Sequence, residues 1–369
     1  MTDMPVRFSY PVQTEGGVPV PRREEVAVKA AVAYDGETIR IEEFVLPAPG
    51  EGELVVRVRA CGLCGSDLAK LFQHTLQVPT VLGHEIAGEV VRVGGDVGRF
   101  RVGDRVVVAH HVPCHGCHYC RHGNYSMCRR FKGSNLHPGG FAEEVLVPAE
   151  HVQLTTLRLP DDMPFDVASF TEPLACCLRS LRRWNLQPGD VIMLVGLGPM
   201  GLQMAQLIQA HHGVVLGTDM DENRLAFAER VGVDVVCSAA KPDQLRQIVE
   251  DLTQERGCDV VVLTAGHGGT VQEALRWARD GGTITLFGNL APHQPAQLDP
   301  NVLYYREITL QGSYSPSPLD LVHALQLIAS HAVDVAPLIT HRLPLEELPR
   351  AVELARTRRA MKAIINPYG

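Results

Sequence analysis

The stretch DVIMLVGLGPMG, residues 190–201, decides what kind of fold this chain adopts. Its first half is a short apolar run of the kind buried on both faces of a parallel sheet. Its second half sets Gly196, Gly198 and Gly201 in a G-x-G-x-x-G pattern, and the apolar text LQMAQLIQAHH, 202–212, then reads as a helix. In such a strand, glycine turn and helix, the glycines allow a tight turn, close backbone approach to a pyrophosphate and close helix-on-strand packing, with the helix N-terminus facing the phosphates. Pro199 and Met200 lie in the same loop. The next strand, GVVLGTD, ends in Asp219 at about the expected 20 residues on. A carboxylate there accepts hydrogen bonds from the adenosine ribose and repels a 2′-phosphate, which favours NAD over NADP. It is also placed to cap the following DENRLAFAERVG helix.

Downstream, VDVVCSA, DQLRQIVEDLTQERG, CDVVVLTAG, TVQEALRWARD and GTITLFGN continue the strand and helix alternation. Such repetition predicts a doubly wound parallel sheet with right-handed crossovers, an α/β Rossmann unit spanning residues 180–318. Upstream, AVKAAVAY, TIRIEEFVL, ELVVRVRACG, IAGEVVRVGG and DRVVVAHHV are short β-rich segments separated by glycine and proline turns. They predict an antiparallel β domain over 28–179. The helices and last strand of 319–369 are expected to return to it. Residues 1–27 show no helical period and read as an irregular surface extension.

Two patterns in the β domain carry metal chemistry. CGLCGSD, 61–67, and GHE, 83–85, bring Cys64, His84 and Glu85 close in sequence. Three protein ligands and an open position are the pattern of a catalytic zinc. In CHGCHYCRHGNYSMC, the spacing of Cys114, Cys117, Cys120 and Cys128 suits a closed tetrathiolate, hence a structural zinc. With four thiolates available, His110, His111, His115, His118 and His122 read as surface residues. A helical pattern starting near Pro164 holds Glu172, a carboxylate in apolar text that must be capped, paired or metal-bound. Cys176 and Cys177 read as packing residues.

The whole composition agrees with two soluble globular domains: 369 residues, 45% hydrophobic and 21% charged. The net charge of −8 argues against a nucleic-acid partner, since such affinity rests on Lys and Arg. No apolar run approaches the roughly 18 residues of a membrane span, and no signal-peptide layout is present, so a cytoplasmic location is expected.

With CGSD, GHE, the four-cysteine lobe, TEPLA, GLGPMG with Asp219, and MKAII in this order, the chain resembles the zinc-dependent medium-chain dehydrogenase/reductases, most of all their polyol and threonine dehydrogenase branch. The resemblance runs from Val28 to the C-terminus and implies a GroES-like catalytic domain beside the Rossmann domain. It implies two zinc ions and NAD, a small-molecule alcohol or ketone substrate, and a homodimer or homotetramer. Cys64 and His84 would hold the catalytic zinc with a glutamate, Glu85 either as a direct ligand or exchanging with water or substrate, and Glu172 directly or through a water. Ser66 would receive the substrate proton as hydride passes to NAD, Asp67 would orient the zinc-binding histidine, Arg224 would contact the ribose, and Lys362 would pair with the metal-site carboxylates.

Two departures narrow the substrate. Many relatives carry a histidine, the end of a proton relay, where this chain has Ala69, so proton release is expected through bulk water or Lys70. GSYSPSP, 312–318, has Ser315 and Pro316 where sorbitol dehydrogenases place an arginine and a tyrosine, which argues against sorbitol itself. Two functions are open at this point: a zinc-dependent secondary-alcohol dehydrogenase, and a zinc-stabilised NAD-binding sensor or structural protein without turnover.

Overall fold

A computed structural model of the protein describes residues 25–369 except Glu37, 74–77 and 291–293. The irregular extension expected over 1–27 lies outside the described residues as far as residue 24, and the first strand, Val26–Ala33, follows closely. The described chain forms two compact units, one of residues up to Phe170 together with Ile339–Gly369, the other Thr171–Leu338. The sequence had placed these crossings at 179/180 and 318/319. Residues 171–179 and 319–338 fall in the second unit because the helix Thr171–Leu181 packs on Pro199–Ala210 and on Pro318–Ala329, all three within that unit.

The first unit is built on a seven-stranded sheet whose central strand is Leu54–Gly62. Along that strand Val56, Val58 and Ala60 are buried, while Arg57 and Arg59 are half-buried and pair with Glu144 and Glu89 at 3.4 and 3.0 Å. Alternation thus tells the core face from the rim face. Strands Glu85–Val93 and Arg105–Ala109 follow antiparallel on one side. On the other, Lys362–Asn366 pairs antiparallel with Cys61 and Gly62, and Ile339–Pro344 follows it in parallel at the edge, so the C-terminal segment completes the sheet. A three-stranded sheet of Ile39–Leu46, Val26–Ala33 and Thr80–Val81 completes this unit's β structure.

Two details go beyond the sequence patterns. After strand Glu144–Val147 the chain turns at Pro148 into a short helix, Ala149–Leu154, because proline has no N–H for the ladder but suits a helix start. The helical pattern after Pro164 is two helices, Phe165–Ala168 and Thr171–Leu181, because Pro173 is tolerated only in a first turn.

The second unit holds a six-stranded sheet, all parallel, in the spatial order Val235–Ser238, Val214–Asp219, Val191–Val195, Cys258–Leu263, Ala278–Leu286, Thr309–Gly312. Val191–Val195 is central, and residues 192–194 are fully buried. Order reverses beside it, which places the glycine-rich turn at the topological switch point where open α/β sheets bind ligands. Among the described residues no helix is long and apolar enough to cross a membrane.

Candidate active site and metal centres

Strand register assembles the first centre. Gly62 pairs with Glu85 and Glu85 with Ala109, so the residues flanking these pairs, Cys64, His84 and His110, come out at one end of the sheet. The ligand atoms of Cys64, His84 and Glu85 all lie within 4.8 Å of one another. Cys64 also starts the helix Gly65–Phe72: its Sγ accepts from the Ser66 amide at 3.5 Å, and Asp67 Oδ2 accepts from the Cys64 amide at 3.2 Å. This capping box fixes the loop and aims Asp67 at His84, with Oδ1 3.2 Å from Nδ1. Ser66 Oγ stands 3.3 Å from His84 Nε2.

The electrostatics suit a dication. Asp67 and Glu85 are fully buried, and Glu85 Oε1 has no hydrogen-bond partner among the described residues, a costly state unless a cation binds. The Lys362 ammonium, itself buried, lies against Glu85 Oε2 and 5.5 Å from the Phe170 ring centre. Burial would lower the pKa of His84, but the Asp67 and Cys64 charges overcome it and hold the imidazole well above its ordinary value. Lys362 contacts Glu85 at Oε2, which leaves Oε1 to meet a metal cation. The carboxylate at Nδ1 leaves Nε2 as the ligand atom, the usual arrangement in which an outer carboxylate fixes a metal-binding imidazole.

Gly62, which the motif reading passed over, makes this arrangement possible. A Cβ there would collide with Glu85 Oε2 and come within 2.9 Å of Lys362 Cε. His110 and His111 correct a further expectation: they are half-buried, not surface residues. The His110 ring packs 4.7 Å from His84 and 3.8 Å from His111, and His111 Nδ1 bonds the Ser134 carbonyl at 2.6 Å. Ala109 pairs with Glu85, so the residues after it follow the sheet to the end where Cys64 and His84 lie.

Cys114, Cys117, Cys120 and Cys128 form the second cluster, again within 4.8 Å of one another. Burial opposes ionisation of Cys128, yet the amides of Cys114, Phe131 and Arg130 outweigh it and bring its thiol down to about 6, the behaviour of a ready thiolate. The apolar support of this lobe is small: Cys120, Cys128 and Phe131, with Cys117 and Tyr125 against them.

In the second unit, Gly196 has φ of +102°, and a Cβ on Gly201 would strike the Gly196 carbonyl. Gly198 caps the helix Pro199–Ala210, with Pro199 at its start and Met200 in its first turn. Asp219 Oδ2 accepts from the Leu197 amide at 2.8 Å and Oδ1 from the Asp221 amide at 3.1 Å, so its carboxylate braces the glycine loop as well as ending the strand. Asp221, not Asp219, caps the next helix. Arg224 Nη1 lies 3.8 Å from Asp219 Oδ2 and would stand 3.4 Å from a Cβ on Gly198. Glu172 occupies the first turn of Thr171–Leu181, with the Cys176 Sγ 3.6 Å from its Oε1; it belongs to this unit, whereas Cys64, Ser66, His84 and Glu85 belong to the other. Cys177 is fully buried.

Residues 50–160 match the alcohol dehydrogenase GroES-like domain, and residues 196–330 match the zinc-binding dehydrogenase domain. The L-threonine 3-dehydrogenase of Anaeromyxobacter sp. (strain Fw109-5) is 31% identical over 334 residues, 88% of this chain and 95% of that protein. The chain belongs to the zinc-dependent medium-chain dehydrogenases. The sorbitol dehydrogenase of Bacillus subtilis (strain 168) is likewise 31% identical over 336 residues, 89% of this chain and 93% of that one. Among solved structures, a zinc-binding dehydrogenase from Sinorhizobium meliloti 1021 bound to NADP superposes with a TM-score of 0.82 at 28% identity, covering 93% of this chain and 100% of that one. This dehydrogenase therefore falls in the polyol and threonine dehydrogenase-like branch, and it is an enzyme of alcohol oxidoreduction that uses zinc and a nicotinamide cofactor. The reading without turnover is not favoured.

Proposed function

We propose that the enzyme oxidises a secondary alcohol, a polyol, amino alcohol or sugar derivative, with NAD as hydride acceptor, and reduces the ketone in reverse. Cys64, His84 and Glu85 hold the catalytic zinc, and Cys114, Cys117, Cys120 and Cys128 hold a second, structural one. The observation that carries this is the Asp67, His84 and Ser66 series, 3.2 Å and 3.3 Å apart at the two ring nitrogens. Zinc, when bound, supplies the Lewis acidity that makes an alcohol proton easy to lose near neutral pH. Ser66 takes that proton at Oγ and, being exposed, passes it to water; Ala69 offers no acceptor. Asp67 keeps the His84 proton on Nδ1 throughout.

NAD is held by Gly196, Gly198, Pro199, Met200 and Gly201 at its pyrophosphate and by Asp219 and Arg224 at its ribose. The buried Asp219 carboxylate supports NAD over NADP. The enzyme works in the cytoplasm, and it does so as a homodimer or homotetramer, the oligomeric state resting on the family alone.

The test is a screen for NADH release over polyols, amino alcohols, sugar phosphates and simple secondary alcohols, run with NAD and NADP. NADH release with at least one of the functionalised alcohols, lost on strong chelation, is expected. Turnover that survives removal of all zinc, or that proceeds only with NADP, overturns it.

A further inference from the structure

The four-cysteine lobe carries a pair of histidines that neither metal centre uses. His118 and His122 open and close the short helix His118–Arg121, four residues apart and therefore on one face. Their ring centres are 4.3 Å apart at 35°, and both side chains are exposed. His122 Nδ1 bonds the His118 carbonyl at 2.8 Å, which fixes the ring and turns Nε2 away from the backbone. A ring nitrogen tied to a backbone carbonyl is the usual condition of a metal-ligating histidine, and two histidines at i and i+4 on a helix are a recurring zinc-binding pair. His115 stacks on Tyr125 instead, ring centres 5.5 Å apart.

We propose that His118 and His122 form a surface clip for one borderline divalent ion, Zn²⁺, Ni²⁺ or Cu²⁺, distinct from both zinc centres. Imidazole nitrogens suit these ions and not Mg²⁺ or Ca²⁺. Arg121, Arg129, Arg130 and Lys132 make the lobe basic, which opposes cation binding. Four thiolates around a structural zinc carry a net charge of −2 and offset half of those four positive charges, and Cys117 and Cys120 bracket His118 in sequence. The protein supplies only two ligands, so water completes the coordination, and the ion exchanges readily.

The test is a Ni²⁺ titration of the zinc-loaded full-length enzyme, by calorimetry and by metal analysis after desalting into metal-free buffer. One Ni²⁺ per chain is expected to bind without zinc release. His118→Ala and His122→Ala should each weaken it at least about 100-fold, since each forfeits the gain of a second linked ligand. Both positions are exposed, and unchanged zinc content and basal turnover show that the variants are folded. His115→Ala should bind as the parent does. Ni²⁺ bound equally by both variants, lost from His115→Ala, or taken up only as zinc is released overturns the proposal.

Discussion

At the scale of single residues, the proposed catalytic centre depends on clearances as much as on its candidate ligands. Cys64→Ala should abolish turnover, by more than about 10³-fold, yet leave NAD binding intact, since the thiolate faces the metal and not the cofactor; normal NADH production by this variant would remove Cys64 from the site. Gly62→Ala keeps every ligand, but its methyl group would occupy the space of Glu85 Oε2 and Lys362. That variant should lose catalytic zinc, read as one zinc per chain instead of two, and should cost about 1–3 kcal/mol in unfolding, the range for an overpacked core. Asp219→Ala should relax the preference for NAD, and should also destabilise by about 1–3 kcal/mol, because the Leu197 and Asp221 amides lose their acceptor. The grouping of Cys64, His84 and Glu85, and the place of Asp219 at the end of its strand, were legible in the sequence, because residue types and spacing are local facts. Gly62, Phe170 and His110 were not, since only the pairing of distant strands gives them neighbours.

At the scale of elements, the four-cysteine lobe and the short helix Ala149–Leu154 make opposite demands. The lobe's apolar cluster is too small to hold a fold by itself, so zinc binding and its folding are one event. Cys120→Ser should therefore lower the melting temperature even with the catalytic zinc retained, and proteolysis should cut first within 114–128. His151 sits buried in the Ala149–Leu154 helix, its Nε2 3.0 Å from the His110 carbonyl. Burial lowers its pKa from 6.5 to about 4, partly opposed by that hydrogen bond and aided by His137. A folded-state pKa below the unfolded value means the unfolded chain takes the proton first. Stability is thus full above pH 6.5 and falls as the pH drops toward 4, by up to about 3 kcal/mol at about 1.4 kcal/mol per unit. Denaturant melts of His151→Gln should show a shallower acid loss over that interval; an unchanged slope would exclude His151. The helix itself leaves no trace in the sequence pattern, because six residues are too few for a helical period to show.

At the scale of the whole molecule, the two fold classes were legible because alternation at period two and strand–helix repetition leave different traces. The boundaries were less so. Thr309–Gly312 and Ile339–Pro344 are short strands with no strong signal of their own, and Thr171–Leu181 and Pro318–Ala329 join the second unit through packing that no local pattern announces. The first unit is discontinuous, and its sheet takes in Lys362–Asn366 beside Cys61 and Gly62. A chain stopped at Arg359 should lose that strand and the partner of Glu85, and with them catalytic zinc and turnover, while Thr171–Leu338 still binds NAD. Loss of NAD binding as well would show that the second unit leans on the first. The same discontinuity sets an order of birth. As the polypeptide leaves the ribosome, every strand of the parallel sheet is made before the other unit's sheet can receive Lys362–Asn366, the last strand of the chain. Glu85 must therefore wait, without its lysine, through the synthesis of an entire second unit.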